Sequence, residues 1–374
     1  MTTNPLIRLG QLGQSPWYDF ITRDLVASGE LARLIAEDGL RGMTTNPTIF
    51  EKAVAGSELY DEDIRRLATE GKRPDEIFEA LAIEDVQAAC DLFLPIHRQS
   101  GGLDGLVSIE VSPTLAHNAA GTIAEAERLW KRVARPNVMI KIPGTRPGLP
   151  AITHALAQGL NVNVTLLFGV SRYREVVDAF FSGLERRLAA GQPVAGIASV
   201  ASFFVSRVDG KIDPLLDGMA GTGRVAPQHG AGLRSRAAIA NACAAYAAFE
   251  ELFASARWQA LATRGAMIQR PLWASTSTKD PGLPDVYYVE ALIGDRTVNT
   301  LPPATFAAYR DHGQPARRIA EGVAEAGTTL GHLAALGIQL DEITRTLEIE
   351  GVKSFAASFE SLMAVIEKKA AALV

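Results

Sequence analysis

Three short apolar runs carry polar residues at positions where they could do chemistry: VSIEVS (107–112), VMIKIP (138–143) and NVNVTL (161–166). Side chains of an extended strand alternate between its two faces. In the first run Val107, Ile109 and Val111 share one face, and Ser108, Glu110 and Ser112 share the other. In the second, Val138, Ile140 and Ile142 oppose Met139 and Lys141. In the third, Val162, Val164 and Leu166 oppose Asn161, Asn163 and Thr165. GMTTN (42–46) puts Gly42, Thr44 and Asn46 on one parity, and PWYDF (16–20) contributes Asp19. A lysine set among Met, Ile, Ile and Pro is expected to be buried, which disfavours its charged form and makes it a nucleophile for carbonyl carbons. A carboxylate beside it can move the protons such chemistry needs. The competing expectation is a purely structural Lys141–Glu110 ion pair, although such pairs often fail to offset their desolvation.

These residues need a frame whose outer face is apolar and whose inner face is not. Eight runs have strand character: 16–20, 40–46, 105–111, 137–143, 160–168, 196–205, 266–275 and 286–293. Helix-like segments lie between them, at 29–39, 74–99, 121–134, 171–191 and 236–265. Strands alternating with helices point to a parallel sheet, and eight of them to a (β/α)8 TIM barrel. Helices cover the outside of such a barrel, so the polar parity must look inward. Most of the polar residues then fall near the C-terminal ends of their strands, where barrel active sites are built. Arg207 follows the sixth run, and Ser275 with Lys279 follows the seventh. Cations and hydroxyls in late barrel loops are a common way to hold a phosphate. The Gly- and Pro-rich stretch 209–233 is read as a loop insertion after the sixth strand, and 302–374 as a helical tail packed outside the barrel. No linker divides the chain, so residues 1–374 are expected to form one barrel domain with that insertion and tail.

Composition narrows the alternatives. The chain has 374 residues, 37 Lys and Arg against 42 Asp and Glu, and a net charge of −5, which argues against broad binding to nucleic acid. Cys90 and Cys243 cannot make a disulfide framework, so a reducing, cytoplasmic setting is expected. No secretory h-region and no long apolar run is evident, so no membrane association is expected. The six histidines show no ligand spacing, and no dedicated metal site is expected. GMAGTG (218–223) lacks the Gly-Lys-Ser/Thr ending of a phosphate-binding loop.

Six segments, MTTNPTIFEKAV, VSIEVSP, VMIKIPGT, LNVNVTLLF, ASVASFFVSRVDGKID and IQRPLWASTSTKDP, closely resemble the transaldolases, above all the longer bacterial subgroup of about this length. The resemblance runs from about residue 5 to the C-terminus. It implies a cofactor-free class I aldol mechanism on sugar phosphates in the non-oxidative pentose phosphate pathway. In it Lys141 forms a Schiff base with the C2 carbonyl of a ketose phosphate, Asp19 takes the C4 hydroxyl proton, and Glu110 with Thr165 handles the carbinolamine water. Asn46, Asn163 and Ser202 would bind the dihydroxyacetone hydroxyls with Thr44 in support. Arg207 and Ser275 would bind the phosphate. Shorter members carry a second arginine two residues after the serine that matches Ser275. Here Ser277 stands there, and Lys279 is the nearest substitute charge. A monomer or homodimer is expected. A free aldolase on the same lysine and a non-catalytic binding barrel are the competing readings.

Overall fold

A computed structural model describes residues 4–222, 230 and 232–374. Eight parallel strands close in chain order into a barrel: β1 Gln14–Asp19, β2 Gly42–Thr44, β3 Leu106–Glu110, β4 Val138–Pro143, β5 Val162–Leu167, β6 Ser199–Phe204, β7 Gln269–Ala274 and β8 Thr297–Leu301. The expected (β/α)8 architecture is therefore present. The outward parity is apolar and buried, with Val138, Ile140, Ile142, Val162 and Val164 all fully shielded beneath helices. Inside, the Trp17 indole fills one layer so completely that a Cβ on Gly42 would lie 2.5 Å from its ring. Glycine is thus required at that close approach.

Register brings the polar residues together. Asp19 stands opposite Thr44, Glu110 opposite Lys141, and Lys141 opposite Asn163. A bulge between Val164 and Leu167, with Leu166 at φ 61°, bends β5 just past Thr165.

Four expectations need correction. The run 286–293 is not a strand: it holds the short helix Tyr287–Ala291, and the eighth strand is TVNTL (297–301). A short apolar run fits a buried helix as well as a strand, and here Tyr288 and Val289 of the helix and Leu292 and Ile293 just after it are all buried. The stretch read as a loop at 209–233 begins inside a helix, Ser206–Gly221, while 223–229 and 231 lie outside the described residues. Its Pro and Gly content is overridden by burial of Val208, Ile212 and Leu216 at four-residue spacing. Two buried carboxylates fix it further. Asp209 accepts from Ala238 N and Tyr288 Oη, and Asp213 accepts from Ser235 N and Oγ.

The long helix expected over 236–265 is two helices, Ala237–Leu252 and Ala256–Ala262, because Ser255 caps a new start by accepting from Trp258 N. The tail forms three helices, Pro303–His312, Ile319–Ala335 and Leu340–Leu373. The last does not only pack outside: its Phe355 reaches over the barrel mouth. Among the described residues no helix is long and apolar enough to cross a membrane.

Candidate active site

Lys141 is the fourth residue of β4, and its neighbours Ile140 and Ile142 take the outward face, so its side chain points into the barrel. It is 4% exposed. Its Nζ donates to the Thr45 carbonyl at 2.9 Å and lies 3.3 Å from Glu110 Oε2. The Phe355 ring centre is 5.8 Å from the same nitrogen. The amine therefore has one full hydrogen bond, one close carboxylate and one aromatic wall.

Glu110 closes β3 with its carboxyl buried and neither oxygen in a hydrogen bond of good geometry. Burial pushes its pKa up to about 7, against the pull of Lys141. Asp19 closes β1 and accepts from Thr44 Oγ1 at 2.7 Å. Burial raises its pKa too, while Lys141 and the Thr44 hydrogen bond act the other way. Thr44 Oγ1 also lies 2.6 Å from Thr300 Oγ1. Two carboxyls whose pKa values are raised by burial thus stand near one buried amine.

A cavity of about 510 Å³ opens over this group. Asp19, Thr44, Asn46, Lys141, Thr165, Ser202, Arg207, Ser275 and Lys279 all line it, whereas Glu110 and Asn163 do not. Asn163 lies beneath, donating to Ser108 Oγ at 3.0 Å and accepting from Ser202 Oγ at 2.7 Å. It thereby aims Ser202 at the cavity. The Thr165 hydroxyl is buried and has no hydrogen-bond partner among the described residues. Asn46 caps the helix Pro47–Ala55, its Oδ1 accepting from Ile49 N at 3.0 Å, which leaves its amide NH2 for the cavity.

On the far wall Arg207 is the second residue of the Ser206–Gly221 helix. Among the described residues it makes no ion pair, and its guanidinium faces the Phe204 ring at 5.5 Å. Burial lowers its pKa, partly offset by Glu350. A half-buried cation without a carboxylate is prepared for an anionic ligand. Ser275, just beyond β7, has φ 56°, a left-handed conformation costly for a non-glycine residue, and its Oγ lies 3.0 Å from Ser206 Oγ. Lys279 is exposed and donates to Ser277 Oγ at 3.1 Å. Among the described residues no three His, Cys, Asp or Glu side chains gather in a metal-binding cluster.

Sequence reasoning placed Ser108 on the inward face without a role and missed Thr300, the Thr45 carbonyl and Phe355. Thr300 was within reach, because TVNTL alternates, but the eighth strand was sought in 286–293. Phe355 leaves no local signal, since it arrives on a helix far along the chain.

The family model described as Transaldolase/Fructose-6-phosphate aldolase matches residues 16–366. The chain is 48% identical over 368 residues to a transaldolase of Frankia alni, covering 98% of each. It is 50% identical over 367 residues to a transaldolase of Acidothermus cellulolyticus, covering 98% of this chain and 97% of that one. To Transaldolase 1 of Streptomyces coelicolor it is 48% identical, covering 98% and 95%. With the barrel, its buried lysine and the match along nearly its whole length, this chain belongs to the transaldolase/fructose-6-phosphate aldolase family.

Proposed function

We propose that this protein is a transaldolase, moving a dihydroxyacetone unit reversibly from sedoheptulose 7-phosphate to glyceraldehyde 3-phosphate. The products are erythrose 4-phosphate and fructose 6-phosphate. The observation that carries the reading is one buried amine, Lys141, in contact with Glu110 and facing the same cavity as Asp19.

The free amine of Lys141 adds to the ketose C2 carbonyl. Glu110, paired with Lys141 and protonated up to about pH 7, gives a proton to the carbinolamine hydroxyl, which leaves as water. Thr165, with an unpartnered hydroxyl, holds that water. The resulting iminium withdraws electrons. Asp19 takes the C4 hydroxyl proton, the C3–C4 bond breaks, and its electron pair enters the iminium to give an enamine. The aldose phosphate departs. The enamine then attacks the acceptor aldehyde, Asp19 returns its proton to the new alkoxide, and water at the iminium releases the product. Asn46 and Ser202 hold the three-carbon unit, with Asn163 orienting Ser202 and Thr44 orienting Asp19. Phe355 gives the iminium cation an aromatic face and limits access of water to it. Arg207, Ser275 and Lys279 take the phosphate.

A cytoplasmic enzyme without a cofactor is part of this reading, consistent with the buried free thiols Cys90 and Cys243. So is a monomer or homodimer.

Borohydride added with fructose 6-phosphate is expected to fix a three-carbon or six-carbon adduct on the peptide containing Lys141. Turnover of fructose 6-phosphate is expected to need erythrose 4-phosphate. No adduct would defeat the Schiff-base reading, and rapid turnover without an acceptor would make the protein an aldolase.

A further inference from the structure

Ser275 holds a backbone conformation that glycine would adopt without strain, with φ 56°. A serine in place of glycine there points to use of its side chain, and Ser275 lines the cavity over Lys141 together with Arg207. Ser206 braces it from behind. Ser206 is 4% exposed and, unlike Ser275 and Arg207, does not line that cavity. Its N–H donates to the Ser275 carbonyl at 3.0 Å, one step after Val205 N donates to the Ala274 carbonyl at 2.9 Å. The β6–β7 ladder thus continues past the ends of both strands. The Ser206 Oγ lies 3.0 Å from Ser275 Oγ, and among the described residues each hydroxyl has the other as its only hydrogen-bond partner. Ser206 is also the residue before Arg207 in the first turn of the Ser206–Gly221 helix. One buried side chain therefore stands between the two groups read as phosphate ligands, next to Arg207 in the chain and doubly bonded to Ser275.

Each oxygen of a hydroxyl pair can give and accept, so between themselves either serine can be the donor. A phosphate ester removes that freedom. It presents acceptor oxygens, so Ser275 must turn its proton outward, and its own oxygen is then left to accept from behind. We propose that Ser206 is a positioning residue of the phosphate site: it donates to Ser275 Oγ and so directs the Ser275 proton at the substrate phosphate. The proposal rests on the transaldolase reading above, which puts a phosphate on Arg207 and Ser275. The result is a directed chain, from Ser206 Oγ–H to Ser275 Oγ–H to a phosphate oxygen, whose members polarise one another. The backbone bond fixes where the strained Ser275 stands, and the hydroxyl bond fixes which way its proton points.

The test is a double-mutant cycle read on phosphate affinity. At saturating fructose 6-phosphate, erythrose 4-phosphate is compared with unphosphorylated erythrose as acceptor. Inorganic phosphate serves as a competitive inhibitor whose binding needs no chemistry. Ser206→Ala keeps the backbone N–H and removes only the hydroxyl. It is expected to raise KM for erythrose 4-phosphate and Ki for inorganic phosphate about fivefold, with kcat within about twofold and KM for erythrose unchanged. Ser275→Ala is expected to raise KM and Ki about tenfold. Adding Ser206→Ala to Ser275→Ala is expected to change neither further, because the chain is already cut. Losses that multiply in the double variant, or a rise for erythrose as large as for erythrose 4-phosphate, would mean a general packing role and overturn the proposal. So would a Ser206→Ala enzyme that binds phosphate like the original. In those outcomes the borohydride adduct at Lys141 still forms. An unaltered enzyme that yields no adduct defeats the transaldolase reading and this proposal with it, so the two failures are told apart.

Discussion

Arg270 on β7 and Lys141 on β4 are both basic side chains buried inside the same barrel, toward its opposite ends. Arg270 is 7% exposed. It pairs with Asp104 at 2.9 Å, donates to Ser15 Oγ at 2.8 Å and also donates to the Leu103 carbonyl. Three of its N–H groups thus find acceptors and its charge has a carboxylate in good geometry, which offsets much of the cost of burying a guanidinium at the floor of the barrel. Lys141 is as deeply buried but has one carbonyl and a carboxylate at 3.3 Å whose oxygens lack well-directed hydrogen bonds. Equal burial with unequal satisfaction separates a group that holds the fold from one kept available to react.

Exchanging either residue for alanine should split the two roles most sharply. Lys141→Ala is expected to lose turnover by more than about a thousandfold and to lose all borohydride adduct, with a melting temperature no lower than the original. Arg270→Ala strands Asp104, and is expected to destabilise by roughly 3–5 kcal/mol in denaturant titration while each folded molecule keeps its activity. A Lys141 variant that unfolds, or an Arg270 variant that stays stable but inert, would reverse the contrast. Next in size, Asp19→Asn is expected to form adduct at the original rate yet cleave C3–C4 about a hundredfold more slowly, measured by single-turnover quench. Equal loss in both steps would remove Asp19 from its role. Arg207→Ala is expected to raise KM for phosphorylated sugars roughly ten- to a hundredfold. Lys279→Ala, at an exposed site, should raise it only about twofold in the same assay.

The mouth should also betray itself by pH. Folded Glu110 holds its proton to about 7, whereas an unperturbed glutamate releases it near 4.5. The folded form therefore binds more protons in that window. The stability this group contributes falls as pH rises from about 4.5 to about 7 and is constant above. Glu110→Gln is expected to remove that fall, roughly 3 kcal/mol between about pH 4.5 and 7, read from denaturation midpoints across the range. An unchanged slope would mean the carboxyl is ordinary.

The inward residues of β1 and β3–β5 were legible because strand alternation is a local property: Ile140 and Ile142 must face the helices, so Lys141 cannot. The same logic failed at the eighth strand. A five-residue strand with two threonines and an asparagine, Thr297–Leu301, looked weaker than an apolar run that proved helical. It failed again at 206–221, where proline and glycine suggested a loop but buried Val208, Ile212 and Leu216 make a helix, and that helix carries Arg207.

Sequence alone determined which side chains of the strands it located enter the barrel and which chemistry their types allow, since strand parity and functional groups belong to the residues themselves. Only the closed sheet decided that Glu110 meets Lys141, because inter-strand register is a long-range property. Only the tertiary packing set the Thr45 carbonyl on the amine and Phe355 above it. Burial and hydrogen-bond satisfaction are sums over residues distant in the chain, and no local pattern records them.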